Sequence, residues 1–450
     1  MLEAKVQNLL KNIYQRSLCL AVIGSGYVGL PTAALFADAG FHVTAIDIKP
    51  EIVKAVNDGF SPINEPRLDE LISRNVQAGR LRATSSLEAL TQADAVIVSV
   101  QTPIDQNKRP NLSFLMKAIE DVGRALREGM LIVVSSTIPP GTMLENVKPK
   151  LEVLSGLKVE TDFYLAYVPE RIAPGKAIRE FVENPRLVGG VGPKSTKIAS
   201  ALYRTVCKTV IETEASTAEV AKLAENTFRD INIAYANQLA LLCENYGVDV
   251  EEVIKLANTH PRVNIHFPGA GVGGPCLTKD PYLLISEARN IKVNLIRVAR
   301  EINDLMPYHA VEIILNALRD NGIEVSKSKV ALLGVAYKGG VSDTRNSPAE
   351  TIINELLLNG VNVSVYDPYT NETFDAEKAE SLEEACNDAD LIAIITDHPE
   401  FRHIELEKIK ELVKHKLIVD GRRIINPSYA SNCGFKYYGI GYGLKSDESS

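Results

Sequence analysis

The sequence predicts an α/β protein in which two doubly wound halves are joined by a helical core. Three observations predict it. Short apolar runs alternate with helix-period segments near both ends of the 450-residue chain, the pattern of parallel sheets covered on both faces. Each half holds a strand, a glycine-bearing loop, a helix stopped by Gly and a second strand ending in Asp. Between them, from about Thr213 to Asn258, Gly and Pro nearly disappear while apolar residues recur at helical spacing. Both halves therefore read as Rossmann-like.

In chain order, residues 1–16 read as an amphipathic helical extension and lack the continuous apolar core of a signal peptide. Residues 17–205 form the first α/β domain. It opens with LCLAVIGSGYVGLPTAALFADAGFHVTAIDI, where Gly40 stops the helix between two strands. Further strands are expected at DAVIVSVQTP, MLIVVSSTIPP, FYLAYVPE and PRLVGGV. Residues 206–320 form the helical core. STAEVAKLAENTFRDINIAYANQLALLCENYG is longer than a typical globular helix and suits a spine or a helical dimer surface. The Pro/Gly-rich loop HPRVNIHFPGAGVGGPCLTKDP follows, then more helix to about Asn321. Residues 321–445 restart the α/β pattern with KVALLGVAYKGGVSDTRNSPAETIINELLLNGVNVSVYDPY, DLIAIITDHPEF and KLIVDGRRII. The polar tail 446–450, SDESS, is expected to be disordered.

Composition narrows the function. A net charge of −8 argues against a dedicated nucleic-acid binder. No apolar run reaches the roughly 18–20 residues that span a bilayer, so no membrane insertion and a cytoplasmic location are expected. Six cysteines lie scattered without a CxxC pair or a Cys/His cluster, so no metal site is expected. Cys19, Cys207, Cys243, Cys386 and Cys433 read as buried small hydrophobes; Cys276 stands apart.

Gly24-Ser25-Gly26-Tyr27-Val28-Gly29 matches G-x-G-x-x-G between a strand and a helix. Its glycines allow the tight turn, the approach of backbone to a pyrophosphate and the close packing of helix on strand. Asp47 follows the next strand, where a carboxylate binds ribose hydroxyls and repels a 2′-phosphate. The cofactor read from this unit is NAD, against the simpler reading in which Asp47 caps a turn. The second half lacks the fingerprint. Its Lys338, Arg345, Arg422 and Arg423 fall at or after strand ends, where they suit a second phosphate ligand or merely face water. Arg422 and Arg423 are not separable by sequence. In PGAGVGGPCLTKDP, four glycines lead up to Cys276, with Lys279 and Asp280 close behind. The thiol is either a covalent nucleophile or an ordinary loop cysteine. A nicotinamide site plus a nucleophilic thiol can carry an aldehyde through a thiohemiacetal and a thioester to an acid.

These motifs, in order GSGYVGLP, SVQTPID, SSTIPPGT, YVPERIAPGKA, AEVAKLAENTFRDINIAYANQL, PGAGVGGPCLTKDP, AYKGGVSDTRNSP and DGRR, resemble the UDP-sugar 6-dehydrogenase family from about residue 18 to 430. The resemblance implies an NAD domain, a helical dimerisation core and a UDP-binding domain in a homodimer or higher homo-oligomer. It implies a four-electron oxidation of the sugar C6 alcohol, with Cys276 as nucleophile. Lys222 and Asn226 would stabilise the C6 oxyanion, their i, i+4 spacing placing both on one helix face. Asp280 would position or activate water, Glu170 would act as general base in thioester hydrolysis, and Thr137 would hold that water. For NAD, the resemblance adds Thr102, Thr137, Lys279 and Arg345. For the substrate, it implies Glu170, Arg171 and the rest of 170–176, the backbone from Phe267 to Gly271, Lys338 and Arg423. It also implies that Arg262 reaches across a dimer.

The segment NTFRDINIA resembles the N-acetylhexosamine branch, and HPRVNI its N-acetylmannosamine enzymes, which implies UDP-N-acetyl-D-mannosamine as substrate. Arg229 and His260 would meet the N-acetyl group or a neighbouring hydroxyl, or else pair with Asp230 and cap a helix. Pro275 departs from the branch, which carries His before the nucleophile. Three other readings stay open: a UDP-N-acetylglucosamine or UDP-glucose 6-dehydrogenase, a two-electron hydroxyacid-type dehydrogenase, and a non-catalytic binder of NAD or sugar nucleotide.

Overall fold

The structure, a computed structural model, describes residues 2–288 and 291–443; the expected disordered tail 446–450 lies outside them. The chain divides into two compact units, residues 1–225 with 282–289 and residues 226–281 with 290–450.

The first unit holds a sheet of eight strands: β1 (Cys19–Ile23), β2 (His42–Ile46), β3 (Leu81–Thr84), β4 (Ala95–Val98), β5 (Leu131–Val134), β6 (Tyr164–Tyr167), β7 (Arg186–Gly190) and β8 (Val210–Glu214). Their order is β3-β2-β1-β4-β5-β6-β7-β8. Both faces are buried, which is why the strands read as continuous apolar runs. Leu20, Val22, Leu131 and Val133 enter one core, while Ala21, Ile23, Ile132 and Val134 enter the core on the other face. The N-terminal helix Leu2–Gln15 joins the first of these through Val6, Leu9, Leu10 and Ile13, the i, i+3, i+4, i+7 stripe of an amphipathic helix.

Two features depart from expectation. The sheet continues to Glu214, past the expected boundary at 205, because β8 pairs with β7. And β7 runs antiparallel to β6 in an otherwise parallel sheet. The link 168–185 carries only the short helix Ala177–Glu183, so the chain returns at the same end of the sheet instead of crossing over.

The second unit holds six parallel strands: β9 (Lys329–Leu333), β10 (Asn362–Tyr366), β11 (Glu377–Lys378), β12 (Leu391–Ile394), β13 (Leu417–Asp420) and β14 (Lys436–Gly439). Their order, β11-β10-β9-β12-β13-β14, repeats the doubly wound order of the first six strands of the first unit. The helical core does not form a separate body. The long helix Ala215–Tyr246 runs through the division between the units. Its Ala236 and Ala240, with Val250 and Ile254 from the next helix, share one apolar core with Leu332, Val363 and Ala393 of the second sheet. The helix Asn294–Asp320 adds Met306, Ala310, Ile314 and Leu318. Among the described residues, no helix is long and apolar enough to cross a membrane. Cys207, Cys243, Cys386 and Cys433 are buried as expected; Cys19, the first residue of the inner strand β1, is exposed at that strand's amino end.

Candidate active site

In the first unit, the turn after β1 is shaped by its glycines. Gly24 has φ +91°, and a Cβ there would lie 2.3 Å from the Ser99 carbonyl oxygen. A Cβ on Gly29 would lie 1.7 Å from the Gly24 carbonyl oxygen, so the helix Gly29–Asp38 can approach the turn only without a side chain. Gly26 is different: nothing lies within 4 Å of its Cβ position. The backbone is thus open where a pyrophosphate would approach, beside exposed Tyr27 and the N-terminal end of the helix that follows Val28. Asp47 is half-buried just past β2. It accepts the Ser25 N–H at 2.7 Å and the Lys49 N–H at 3.0 Å, which fixes the carboxylate beside the turn. These residues fit a dinucleotide.

At the carboxyl ends of β4 and β5, buried Thr102 donates to the Thr137 carbonyl at 2.5 Å. Glu170 follows β6 and is buried. It accepts from the Arg171 N–H at 2.8 Å and pairs with Arg186 at 2.7 Å. Arg186 is itself 2% exposed and sits 4.2 Å over the Phe181 ring. Burial opposes its charge, yet the Glu170 carboxylate overrides this and raises its pKa. Arg171 is committed elsewhere, to Glu225 at 2.7 Å and the Pro185 carbonyl at 2.7 Å. Lys222 is 7% exposed on the long helix and, among the described residues, makes no hydrogen bond or ion pair. Its stem is packed away while the ammonium itself is not sealed off, so it stands where an anionic ligand could meet it.

Two acids that sequence reasoning missed hold this machinery together. Buried Glu65 accepts the N–H groups of Gly175 and Ala177, both at 2.7 Å, and so staples the 170–177 segment. Buried Glu219 accepts those of Gly141 and Met143, both at 2.8 Å, tying the loop after Thr137 to the helix of Lys222. Burial pushes the Glu219 carboxyl up despite these two bonds. The carboxylates in INEPRLDE and STAEVAK carry no spacing signal, which is why they escaped notice; their partners are backbone.

In the second unit, the cysteine loop is clamped rather than loose. A Cβ on Gly273 would meet the Asn346 carbonyl at 2.6 Å and Pro348 at 2.8 Å. On Gly274 it would meet the Tyr337 ring at 2.7 Å, and on Gly271 Pro307 and Pro348 at 2.9 Å. The Gly density thus serves close packing against protein. Gly274 donates to the Arg345 carbonyl at 3.1 Å and Ala270 to the Gly421 carbonyl at 3.0 Å. Cys276 stands exposed on this rigid loop. Its carbonyl accepts the N–H groups of Lys279 and Asp280, a turn that leads into the short helix Asp280–Ile285. Asp280 is fully buried, between the Asn226 amide at 2.6 Å and the Lys279 ammonium at 2.7 Å. Lys279 therefore answers a carboxylate of its own loop.

The remaining cations separate. Lys338 is exposed. Arg345 chelates Asp343 through two bonds, at 2.9 and 2.6 Å. Arg423, with φ +53°, is buried and gives bonds of 3.0 and 2.9 Å to the two Asp249 oxygens, with Glu251 at 3.5 Å. Its charge is spent inside the protein, against the expectation of a substrate contact. Arg422 is half-exposed, anchored to the Ile395 carbonyl at 2.7 Å and packed beside Gly269. Asp230 pairs with Arg300, not Arg229. Arg229 is exposed near His266, which burial and this neighbouring charge hold below the usual imidazole range. His260, Arg262 and Phe267 are exposed, and the His260 ring accepts the Arg262 N–H at 3.4 Å. The second sheet closes its own glycine turn. Asp367, after β10, accepts the Val335 and Ala336 N–H groups at 2.9 and 3.0 Å and binds His398 at 3.0 Å, both side chains being fully buried.

Comparison with known proteins points to one family along the chain. Domain models of the UDP-glucose/GDP-mannose dehydrogenase family match the chain three times: the NAD binding domain over residues 18–207, the central domain over 216–305 and the UDP binding domain over 331–427. A UDP-N-acetyl-D-mannosamine dehydrogenase of Pyrococcus horikoshii is 47% identical over 94% of this chain and 99% of its own length. The solved structure of a UDP-D-ManNAc dehydrogenase from that organism superposes with TM-score 0.89 at 45% identity, over 95% of this chain and 100% of the other. An NDP-N-acetyl-D-galactosaminuronic acid dehydrogenase structure from Methanosarcina mazei gives TM-score 0.84 at 37% identity, over 98% of both chains.

Proposed function

We propose a function for this chain from one premise: it belongs to the UDP-glucose/GDP-mannose dehydrogenase family. The reading is a four-electron oxidation of UDP-N-acetyl-D-mannosamine at C6 to the uronate. The observation that carries it is an exposed thiol, Cys276, on a clamped loop that also delivers a buried Asp280 held by Asn226 and Lys279. The sugar rests on the resemblance to the Pyrococcus horikoshii enzyme.

Each residue then has a task. The turn 24–29 and Asp47 would hold NAD, which would supply the hydride acceptor when bound. The Lys222 ammonium, carried on a mostly buried stem, balances negative charge on the C6 oxygen. Asn226, one helical turn on, donates a hydrogen bond to the same oxygen. The C6 alcohol gives one hydride to NAD and its hydroxyl proton to water and becomes the aldehyde. The Cys276 thiol adds across that C=O, its proton passing to the oxygen, to give a thiohemiacetal. A second hydride to a second NAD, with the hydroxyl proton going to water, leaves a thioester on that sulfur. Glu170 takes a proton from the water that cleaves it, with Arg186 fixing the carboxylate, while Asp280 and Thr137 orient the water. Arg422 and Lys338 meet the diphosphate; Arg171 and Arg423, already paired, shape the protein around the substrate.

The reading also makes the protein a cytoplasmic homodimer or higher homo-oligomer. Its support is an apolar stripe on the long helix, Phe228, Tyr235 and Leu242, at seven-residue intervals and exposed, with Leu295 and Leu305 exposed on the helix Asn294–Asp320. The test is the amount of NADH formed per mole of substrate, with UDP-N-acetylmannosamine, UDP-N-acetylglucosamine and UDP-glucose in parallel. About two NADH from the first and slow turnover of the others is expected. About two from another sugar keeps the mechanism and removes the assigned sugar. About one, with aldehyde accumulating, removes the thioester role of Cys276. None from any sugar makes the chain a binder.

A further inference from the structure

A chain of buried polar side chains runs beneath the cysteine loop, entirely within the second unit. Asn237 on the long helix is fully buried. Its Oδ1 accepts the Gly269 N–H at 3.0 Å, at the base of the loop, and its Nδ2 donates to Asn303 Oδ1 at 2.9 Å. Asn303, 1% exposed, donates in turn to the Asp230 carbonyl at 3.0 Å and to Asp230 Oδ1 at 2.8 Å. The same Oδ1 pairs with Arg300, which is 1% exposed and also reaches Asp304. The arrangement is costly. Asp230 Oδ2 and Arg300 Nε are buried without a partner, and burial pushes the Asp230 carboxyl up against its Arg300 pairing. A well-packed apolar cluster would hold two helices together at less cost. What an apolar cluster could not do is accept a backbone N–H at one defined point.

We propose that Asn237 is a positioning residue for the nucleophile loop, and that Asn303, Asp230 and Arg300 exist to hold its amide in one orientation. The amide has two ends. With Nδ2 fixed by Asn303, Oδ1 must face Gly269. Two further amides act on the approach to the same segment: Asn232 accepts the His266 N–H at 2.8 Å and Asn258 the Ile265 N–H at 2.7 Å. From Gly269 the chain is passed to the Gly421 and Arg345 carbonyls before it reaches Cys276. The order of the reactive thiol is thus set from the helical side, by a side chain that touches neither substrate nor cofactor. This rests on the reading of Cys276 as nucleophile, but loop order is measurable without turnover.

The experiment compares wild type, Asn237→Ala and Asn303→Ala in the full-length protein. Loop order is read by hydrogen exchange of peptides covering 267–277 and by the rate of Cys276 alkylation with iodoacetamide. Activity is read as kcat and KM for each substrate, and stability as Tm. Loss of the anchoring bond is expected to raise exchange of 267–277 about 5- to 30-fold while peptides of the second sheet exchange as before. Alkylation changes in the same variants, kcat falls and KM for UDP-sugar rises, and KM for NAD stays. Asn303→Ala gives the same pattern in weaker form, and decides the matter if Asn237→Ala does not fold. A lowered Tm with unchanged loop exchange and unchanged alkylation would reduce the network to scaffold and overturn the proposal. Raised loop exchange in the two variants, with a wild type that oxidises no UDP-sugar, would keep the positioning role and sink the proposed function alone.

Discussion

Arg423→Ala distinguishes a cation that binds substrate from one that holds the fold. In the structure its Nη2 lies 3.0 and 2.9 Å from the Asp249 oxygens and 3.5 Å from Glu251, and its side chain is 3% exposed. Removing one member of a buried pair costs ~3–5 kcal/mol, because the other charge stays behind unpaired. Asp249 is 17% exposed at its side chain and still accepts the Glu251 N–H at 2.9 Å as a helix N-cap, so the lower end applies, about 3 kcal/mol. At about 2–4 °C per kcal/mol for a unit of this size, the apparent Tm should fall by about 6–12 °C. KM for the UDP-sugar, measured well below the transition, should move by less than about threefold, since no substrate contact is lost. Arg422→Ala should do the reverse, raising KM about tenfold or more with little change in Tm. A Tm within about 1 °C of wild type for Arg423→Ala, with KM raised tenfold, would refute this assignment and return Arg423 to the substrate.

Other outcomes follow from the same geometry. Gly29→Ala places a Cβ where the Gly24 carbonyl oxygen stands 1.7 Å away, so NAD binding by calorimetry should vanish; unaltered affinity would mean that the turn is not the cofactor site. Cys276→Ser should stop the reaction short of the acid, with aldehyde trapped by hydroxylamine and NADH per sugar falling below about two; undiminished acid formation would exclude a thioester. His309 is half-buried between Glu244 of the long helix and Glu312 of its own helix. Burial opposes its protonation, but these carboxylates raise its pKa overall. Its stabilisation is therefore complete below the unfolded value of about 6.5 and is lost as pH rises through the raised folded value. His309→Gln should lower Tm at pH 6 and leave it unchanged at pH 9; equal loss at both would refute the charged pairing.

Much of this was legible in the residues because it depended on local rules. The fingerprint turn, the strand runs buried on both faces and the stripe of the N-terminal helix each follow from spacing alone. The exposed thiol among glycines was visible too, though the purpose of those glycines was not: they admit Tyr337, Pro307 and Pro348, residues distant in sequence. What spacing does not encode is the identity of a partner far along the chain. Nothing near Arg423 announces Asp249, and nothing near Glu65 announces the N–H groups of Gly175 and Ala177. The reversal of β7 was hidden for a related reason, since strand direction is set by where a connection returns and not by the strand's own composition.

The two sheets share one strand order, yet their first turns end differently. In the first, Asp47 is only half-buried beside an open Gly26. In the second, the equivalent carboxylate, Asp367, is wholly occupied by two backbone N–H groups and His398. In the proposed reading NAD is held at the first of these turns, while the proposed oxidation removes two hydrides. Spent cofactor must leave and fresh cofactor arrive in mid-reaction, with a half-oxidised sugar still aboard. A bond to Cys276 solves this timing problem, because a tethered intermediate has a residence time set by chemistry and not by the lifetime of a noncovalent complex. In the proposed mechanism the thiol would thus keep the sugar in place during the exchange of cofactor, besides forming the adduct that gives up the second hydride.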